Sequence, residues 1–382
     1  MQMVDLFYHH KVTADYTRTR VLFLTIEKDR HFDFCSFVRI FGYSVYKKIL
    51  FGQQAHHWIF GFPWRTNLDR TTMDRLVNER IVRTVNDLLP SSCFVNLIGS
   101  PSGEVFLFSC LWKQFCQKYQ IHKDCVFVVD SNWKKRLVKY LFRSDRCVNI
   151  QLKLFVHDSL CYRHGATVMF NVFPTTHYLR QDEKNLREGY HYFDAICSTL
   201  GLHKNNVCVP PAKFSVREKI KKFCNREFPG KKIVLVCPDA NTCGALDKRQ
   251  WLDFCTRVRE RGFSVFVNSS DATFQSYTCN CFFTHEELLE LARHSVAVIG
   301  LRSGLTEMLA AVGIPSFIVY TGLTQRGMLE AMSAEQVLRG FTLTELPGLE
   351  KNKIHEYVYS DSNWQQITSD ALNKICALTS PR

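Results

Sequence analysis

From Cys93 onward, short apolar runs alternate with stretches whose apolar residues recur at helical spacing, and a parallel sheet covered on both faces is the arrangement that buries such a pattern. Phe94-Val95-Asn96-Leu97-Ile98 and Cys125 to Asp130 read as strands, with a helix from Val105 to Tyr119 between them. The fold class is therefore α/β. After Pro210-Pro211, the basic stretch Arg217 to Lys222 and Pro229-Gly230, a second unit begins, and the boundary is expected near residue 226. It reads as strand Lys232 to Cys237, helix Arg249 to Arg261, strand Phe263 to Asn268, helix Glu286 to His294, strand Val296 to Gly300, helix Leu305 to Val312 and strand Ser316 to Tyr320. This order predicts a doubly wound, Rossmann-like domain. Four regions are expected: an extension over 1–91, a first Rossmann-like domain over 92–225, a second over 226–345, and a helical segment over 346–382.

Within the extension, Ile40 to Lys48 reads as a hairpin, and Met73, Leu76, Val77, Ile81, Val85 and Leu88 mark a helix that Pro90 closes. The net charge of +13 is unevenly spread. Residues 1–225 hold 33 Lys+Arg against 19 Asp+Glu, and residues 226–382 hold 16 against 17. A basic half can face nucleic acid, anionic lipid or an acidic glycan, and charge alone does not choose among them. Lys134, Lys135, Arg136, Lys139 and Arg143, interleaved with Tyr140 and Phe142, read either as a surface for an anionic membrane or acidic acceptor, or as a solvated helix face. No apolar run reaches membrane-spanning length and Met1 to Asp5 does not begin a secretory signal, so a cytoplasmic protein is expected. The 16 cysteines are scattered, often inside apolar runs, and no C-x-x-C pair occurs, which fits reduced thiols better than disulfides or a metal site.

Two loops carry candidate chemistry. Gly300-Leu301-Arg302-Ser303-Gly304 joins a buried strand to a helix N-terminus, where free N–H groups favour an anion such as a diphosphate. Arg302 and Ser303 could add contacts and Gly304 could let a phosphate approach; the plain alternative is that Ser303 caps the helix. Pro238 to Thr242 also follows a strand at the sheet's carboxyl edge, placing Asn241 and Thr242 in the same crevice, with Lys248 as a nearby cation or a solvated one. Trp251 reads as core.

The run from Val234 to Tyr320 resembles the C-terminal domain of glycosyltransferase family 9, the heptosyltransferase type. The match lies in an ordered set: Pro238, Lys248, Trp251, Leu288 to Ala292, Ile299-Gly300, Ser303-Gly304 and Leu309 to Pro315. The resemblance implies a GT-B architecture of two Rossmann-like domains facing a central cleft, with Asn241, Thr242, Lys248, Arg302, Ser303, Gly304, Thr306 and Glu307 on the donor side. Two departures stand out, for Arg302 replaces the family's usual acidic residue and Glu307 its usual His.

In the first domain, Gly99-Ser100-Pro101-Ser102-Gly103-Glu104 is similar to the family's glycine loop and Gly-Asp pair. That implies Glu104 as general base, with Ser102, Gly103 and Asp158 on the acceptor side; the plain reading of Glu104 is a first-turn residue complementing the helix dipole. No D-x-D occurs, so a metal-independent site without a cofactor is expected, with cations and helix dipole offsetting the leaving-group charge. His9-His10 and His56-His57 lack partners at ligand spacing. The expected activity is inverting transfer from a nucleotide sugar to a lipopolysaccharide or capsule acceptor, glycan or lipid-linked, at the inner face of the cytoplasmic membrane. A nucleotide-sugar epimerase of the same fold, or a basic nucleic-acid-binding protein, are the alternatives; no helix-turn-helix, zinc-finger, RNP or KH pattern supports the latter, and no nucleic-acid partner is expected.

Overall fold

A computed structural model describes the chain apart from residues 1–7, 13–15, 22–23, 30–34, 41–42, 52–53, 60–61, 66–69, 122–123, 151–159, 173–188, 241–242, 280, 282, 324–331 and 380–382, with side chains given from Asn78 onward apart from Arg80 and Thr379. It forms two compact units. The first comprises Met1–Gly99, Lys123–Asn132 and Arg146–Thr176, and the second Ser100–His122, Trp133–Asp145 and His177–Arg382.

The first unit opens with strands β1 (Tyr8–Val12), β2 (Tyr16–Val21), β3 (Leu24–Asp29), β4 (Cys35–Ile40), β5 (Tyr43–Phe51), β6 (Gln54–Ile59) and β7 (Phe62–Arg65). Each pairs with the next to give a seven-stranded antiparallel meander. The expected hairpin is the pairing of β4 with β5, where Ile40 stands opposite Tyr43. The other strands were not evident from the sequence, because a two-sided antiparallel strand such as Tyr-Thr-Arg-Thr-Arg-Val carries little apolar signal. Helix α1 (Arg70–Leu88) follows where the periodicity places it, burying Ile81, Val82 and Val85.

A second sheet joins β8 (Cys93–Asn96), β9 (Val126–Val129), β10 (Cys147–Asn149), β11 (Cys161–His164) and β12 (Thr167–Asn171) in the order β10-β9-β8-β12-β11. Its pairings are parallel except that of β11 with β12, a hairpin that adds an antiparallel edge to the parallel sheet expected. The β11 residues alternate exposed and half-buried, as suits an edge.

Helices α2 (Ser102–Tyr119) and α3 (Asn132–Leu141) follow β8 and β9 in sequence. From Ser102 and Trp133 onward, however, they compact with the second unit rather than with a self-contained domain over 92–225. The remaining elements of that unit are α4 (Tyr192–Leu200), α5 (Phe214–Glu227), β13 (Ile233–Cys237), α6 (Lys248–Glu260), β14 (Ser264–Val267), α7 (His285–Arg293), β15 (Ser295–Leu301), α8 (Gly304–Ala310), β16 (Ser316–Tyr320), α9 (Ala334–Phe341), β17 (Ile354–Val358) and α10 (Trp364–Thr379).

The sheet order β14-β13-β15-β16-β17, parallel throughout, is that of a doubly wound domain. Strands β13 and β16 are buried end to end because helices lie on both faces. One face packs Trp251, Phe254 and Val258 of α6 with Trp364, Ile367 and Ile375 of α10; the rings of Trp251 and Trp364 meet edge to face at 5.0 Å. Trp251 is core, as expected. The segment 346–382 is not wholly helical, since β17 supplies the fifth strand. With His355 and Glu356 in its middle, that strand lacks the apolar run that marks its neighbours.

Residue 226 falls inside α5 rather than in a linker. This helix belongs with the C-terminal sheet, for Phe223 places its ring 6.0 Å from Phe266 and 5.0 Å from Phe283. The cysteines with described side chains form no disulfide with one another. Among the described residues no helix is long and apolar enough to cross a membrane.

Candidate functional site

In the order β14-β13-β15 the chain leaves β13 toward opposite sides of the sheet, so a crevice opens past the carboxyl ends of β13 and β15. Both loops singled out in the sequence end there. A cavity of about 540 Å³ occupies the place, floored by Asp239 and Ala240 after β13, Asn268 and Ser269 after β14, and Ser303 after β15. Its walls come from helix starts: Ser102 of α2, Thr284 and His285 before and at the start of α7, and Lys213 just before α5. Helix α3 closes one side with Trp133, Arg136, Lys139 and Tyr140.

Three of these lining residues are exposed cations, Arg136, Lys139 and Lys213. Lys139 also pairs with exposed Asp145, and the Lys213 backbone N–H donates to the Glu286 carboxylate at 2.8 Å. The wall also has an aromatic end, where the rings of Trp133 and His285 stack 5.7 Å apart at 30°. Burial pushes the His285 pKa down to about 4, with Arg136 adding to the effect, so its ring is neutral near pH 7. Within the basic run of α3, Lys134 is buried, and Arg136 and Lys139 line the cavity.

The two helix N-termini differ. At α8, Ser303 accepts from the Thr306 N–H at 3.3 Å while the Thr306 hydroxyl accepts from the Ser303 N–H at 2.8 Å, a closed capping box. Ser303 and Thr306 are therefore engaged as caps. At α2 the N-cap is Pro101, which makes no side-chain cap. This longer helix therefore has no side-chain cap to offset its positive end.

The two helices touch through glycine. A Cβ on Gly304 would lie 2.1 Å from the Gly103 nitrogen and 2.7 Å from the Ser102 hydroxyl, and one on Gly103 would lie 2.3 Å from Glu307 Oε2. Contact between α2 and α8 explains glycine at both positions.

Behind this contact lies a charged cluster. Arg302 and Glu307, both buried, form an ion pair, and the Arg302 guanidinium sits 4.1 Å from the centroid of the Phe341 ring. Burial raises the Glu307 pKa against the pull of Arg302. Among the described residues, Arg302 Nε and Glu307 Oε2 find no hydrogen-bond partner. Glu104, half-buried on α2, feels the same group: burial lifts its pKa to about 7, a hydrogen bond with Tyr192 and the charge of Lys134 oppose the rise, and Glu307 adds to it.

The remaining expected site residues are placed as follows. Lys248 begins α6 and pairs with Asp271, whose carboxyl that lysine and Thr273 hold well below its usual range. Asn241, Thr242 and Asp158 lie outside the described residues. Glu104, Gly103, Gly304, Arg302 and Glu307 form one group, while Ser102 and Ser303 reach the cavity itself. Sequence reasoning missed Tyr192 and His285, which no local spacing ties to the loops, and read Lys134 only as part of a basic surface.

No family model matches the chain, and no curated protein does. Among solved structures, it is similar to Escherichia coli ADP-heptose lps heptosyltransferase II at 11% identity, covering 75% of this chain and 98% of that one with a TM-score of 0.42. A glycosyl transferase family 9 protein from Veillonella parvula covers 75% of this chain and 97% of its own at 10% identity and a TM-score of 0.42. The iron-containing dodecameric glycosyltransferase TibC from enterotoxigenic E. coli covers 60% of each chain at 14% identity and a TM-score of 0.39. At such scores the chemistry has to come from this chain's own residues.

Proposed function

We propose that the chain is a glycosyltransferase that holds a nucleotide-sugar donor at the carboxyl edge of β13 and β15 and uses Glu104 as the base for the acceptor hydroxyl. The observation that carries this reading is the switch-point cavity, lined by hydroxyls, three cations and an aromatic pair beside an uncapped helix end. A nucleoside diphosphate has matching parts. Its base finds flat apolar surface at Trp133 and His285, and its phosphates find Arg136, Lys139, Lys213 and Ser102 at the start of α2. The diphosphate charge is assigned to these cations because they line the cavity, which neither Arg302 nor Lys248 does.

In the proposed reaction the acceptor oxygen attacks the anomeric carbon as the bond to the diphosphate oxygen breaks. The acceptor proton passes to Glu104, and the negative charge stays on the departing nucleoside diphosphate. A carboxyl held near 7 suits a base that must take a proton from a hydroxyl and release it to water. Attack from the face opposite the leaving group inverts the anomeric carbon, and the three cations stabilise the diphosphate without calling on a metal. The acceptor in this reading is a sugar hydroxyl of a surface glycan, such as lipopolysaccharide or capsule, free or lipid-linked.

The test is release of nucleoside diphosphate from a panel of nucleotide sugars, with calorimetry against oligonucleotides alongside. Release from one donor class is expected, falling by on the order of 10²–10⁴-fold in Glu104→Gln while donor affinity is kept. Tight oligonucleotide binding with no response to any nucleotide sugar would sink the reading, and unchanged turnover in Glu104→Gln would remove that residue from the role.

A further inference from the structure

We propose that the outward face of α5, led by Phe214, docks the chain on an anionic lipid surface. Phe214 is 70% exposed, the highest value among the exposed large hydrophobic side chains of the described residues. It begins a helix whose opposite face is fixed in the core by Ile220, Phe223 and Cys224. Because the Phe223 ring is held by Phe228, Phe266 and Phe283, α5 cannot roll Phe214 inward without breaking that cluster. The ring is therefore built to face out.

The charges around it are of one dominant sign. Lys213 precedes Phe214, the Arg217 guanidinium lies 5.9 Å from its ring centroid, and Lys221 falls on the same stripe two turns along, with Lys222 beside it. Arg217, Lys221 and Lys222 are exposed and have no carboxylate partner among the described residues. The nearby acids are mostly engaged: Glu287 takes Lys219, Glu227 takes Arg226, and Glu286 accepts from the Lys213 backbone; Glu218, half-buried, is the one acid on the stripe.

A lone aromatic ring ringed by cations on a convex helix matches the layering of a lipid interface, where the ring enters the acyl boundary and the cations meet phosphate. Single-stranded nucleic acid is instead held by successive stacking platforms, and this helix face offers one aromatic ring. Lys213 also lines the switch-point cavity, so docking through α5 sets the cavity mouth at the lipid surface. The stretch reads in sequence as a basic linker; the structure makes it a helix with a committed outer face.

The experiment is co-sedimentation of the full chain with vesicles of phosphatidylcholine alone and of phosphatidylcholine mixed with phosphatidylglycerol. Binding is expected only to the anionic vesicles and should weaken with added salt. Each cation is worth about fivefold at such a surface, so Arg217→Ala/Lys221→Ala should lose on the order of 30-fold, and Phe214→Ser about tenfold. All three positions are solvent-facing, so an unchanged thermal melt separates lost docking from lost fold. Equal binding to both vesicle types, no binding to either, or an unaffected Phe214→Ser would overturn the proposal. So would an RNA oligomer that binds more tightly than the anionic vesicles and does not need Phe214.

Discussion

Glu104→Gln should make the protein more stable at alkaline pH while leaving its stability at acid pH nearly unchanged. A carboxyl whose pKa rises from 4.5 to about 7 on folding binds its proton more tightly in the native state. The stability it contributes is complete below the unfolded value and is lost as the pH climbs through about 7. At about 1.4 kcal/mol per pH unit, the ionised form costs the native state about 3 kcal/mol by pH 8 relative to pH 4.5. An amide keeps the shape and can still accept from Tyr192, but it carries no charge to desolvate. The assay is urea denaturation of both proteins near pH 5 and near pH 8, with the slope checked for constancy before midpoints are compared. A gain of about 2–3 kcal/mol confined to the higher pH is expected. An equal loss at both pH values would show that the carboxylate is an ordinary structural group, and the case for a strained base would fall with it.

Gly304→Ala should destabilise by about 1–3 kcal/mol, because the new methyl meets the Gly103 backbone rather than a side chain able to swing away; a melt matching the parent would show that α2 and α8 are not in contact. Arg302→Ala should lose about 3–5 kcal/mol by leaving Glu307 buried and unpaired, and Arg302→Met/Glu307→Leu should recover most of it. A single variant as stable as the double would refute the pair.

The β13 to β16 core and its helices were legible because buried parallel strands carry unbroken apolar runs, and Ser316–Tyr320 falls where the sequence places it. The start of α8 was legible where Ser303 sits before an apolar run. The meander was largely hidden, since its strands mix Thr, Arg and Lys with apolar residues, and β17 was hidden by His355 and Glu356. In the site, the loops were legible and the partners were not. Nothing local to Glu104 announces Tyr192, and nothing local to Arg302 says whether its charge turns toward a ligand or toward Glu307, because both depend on which helices meet.

That meeting of helices decides what the Arg302-Ser303-Gly304 turn does. A serine-glycine turn after a buried strand suggests a phosphate loop, yet here the serine is consumed as a cap and the glycine admits a neighbouring helix. The consequence is that α2, whose N-cap Pro101 offers no side-chain cap, brings Ser102 to the crevice, with Glu104 in the group behind it. The closeness that forbids a Cβ at Gly103 also lets Glu307 add to the rise that burial imposes on the Glu104 carboxyl. Arg302 then acts by holding Glu307 in place, and the charge facing the cavity passes to residues from α3 and the start of α5.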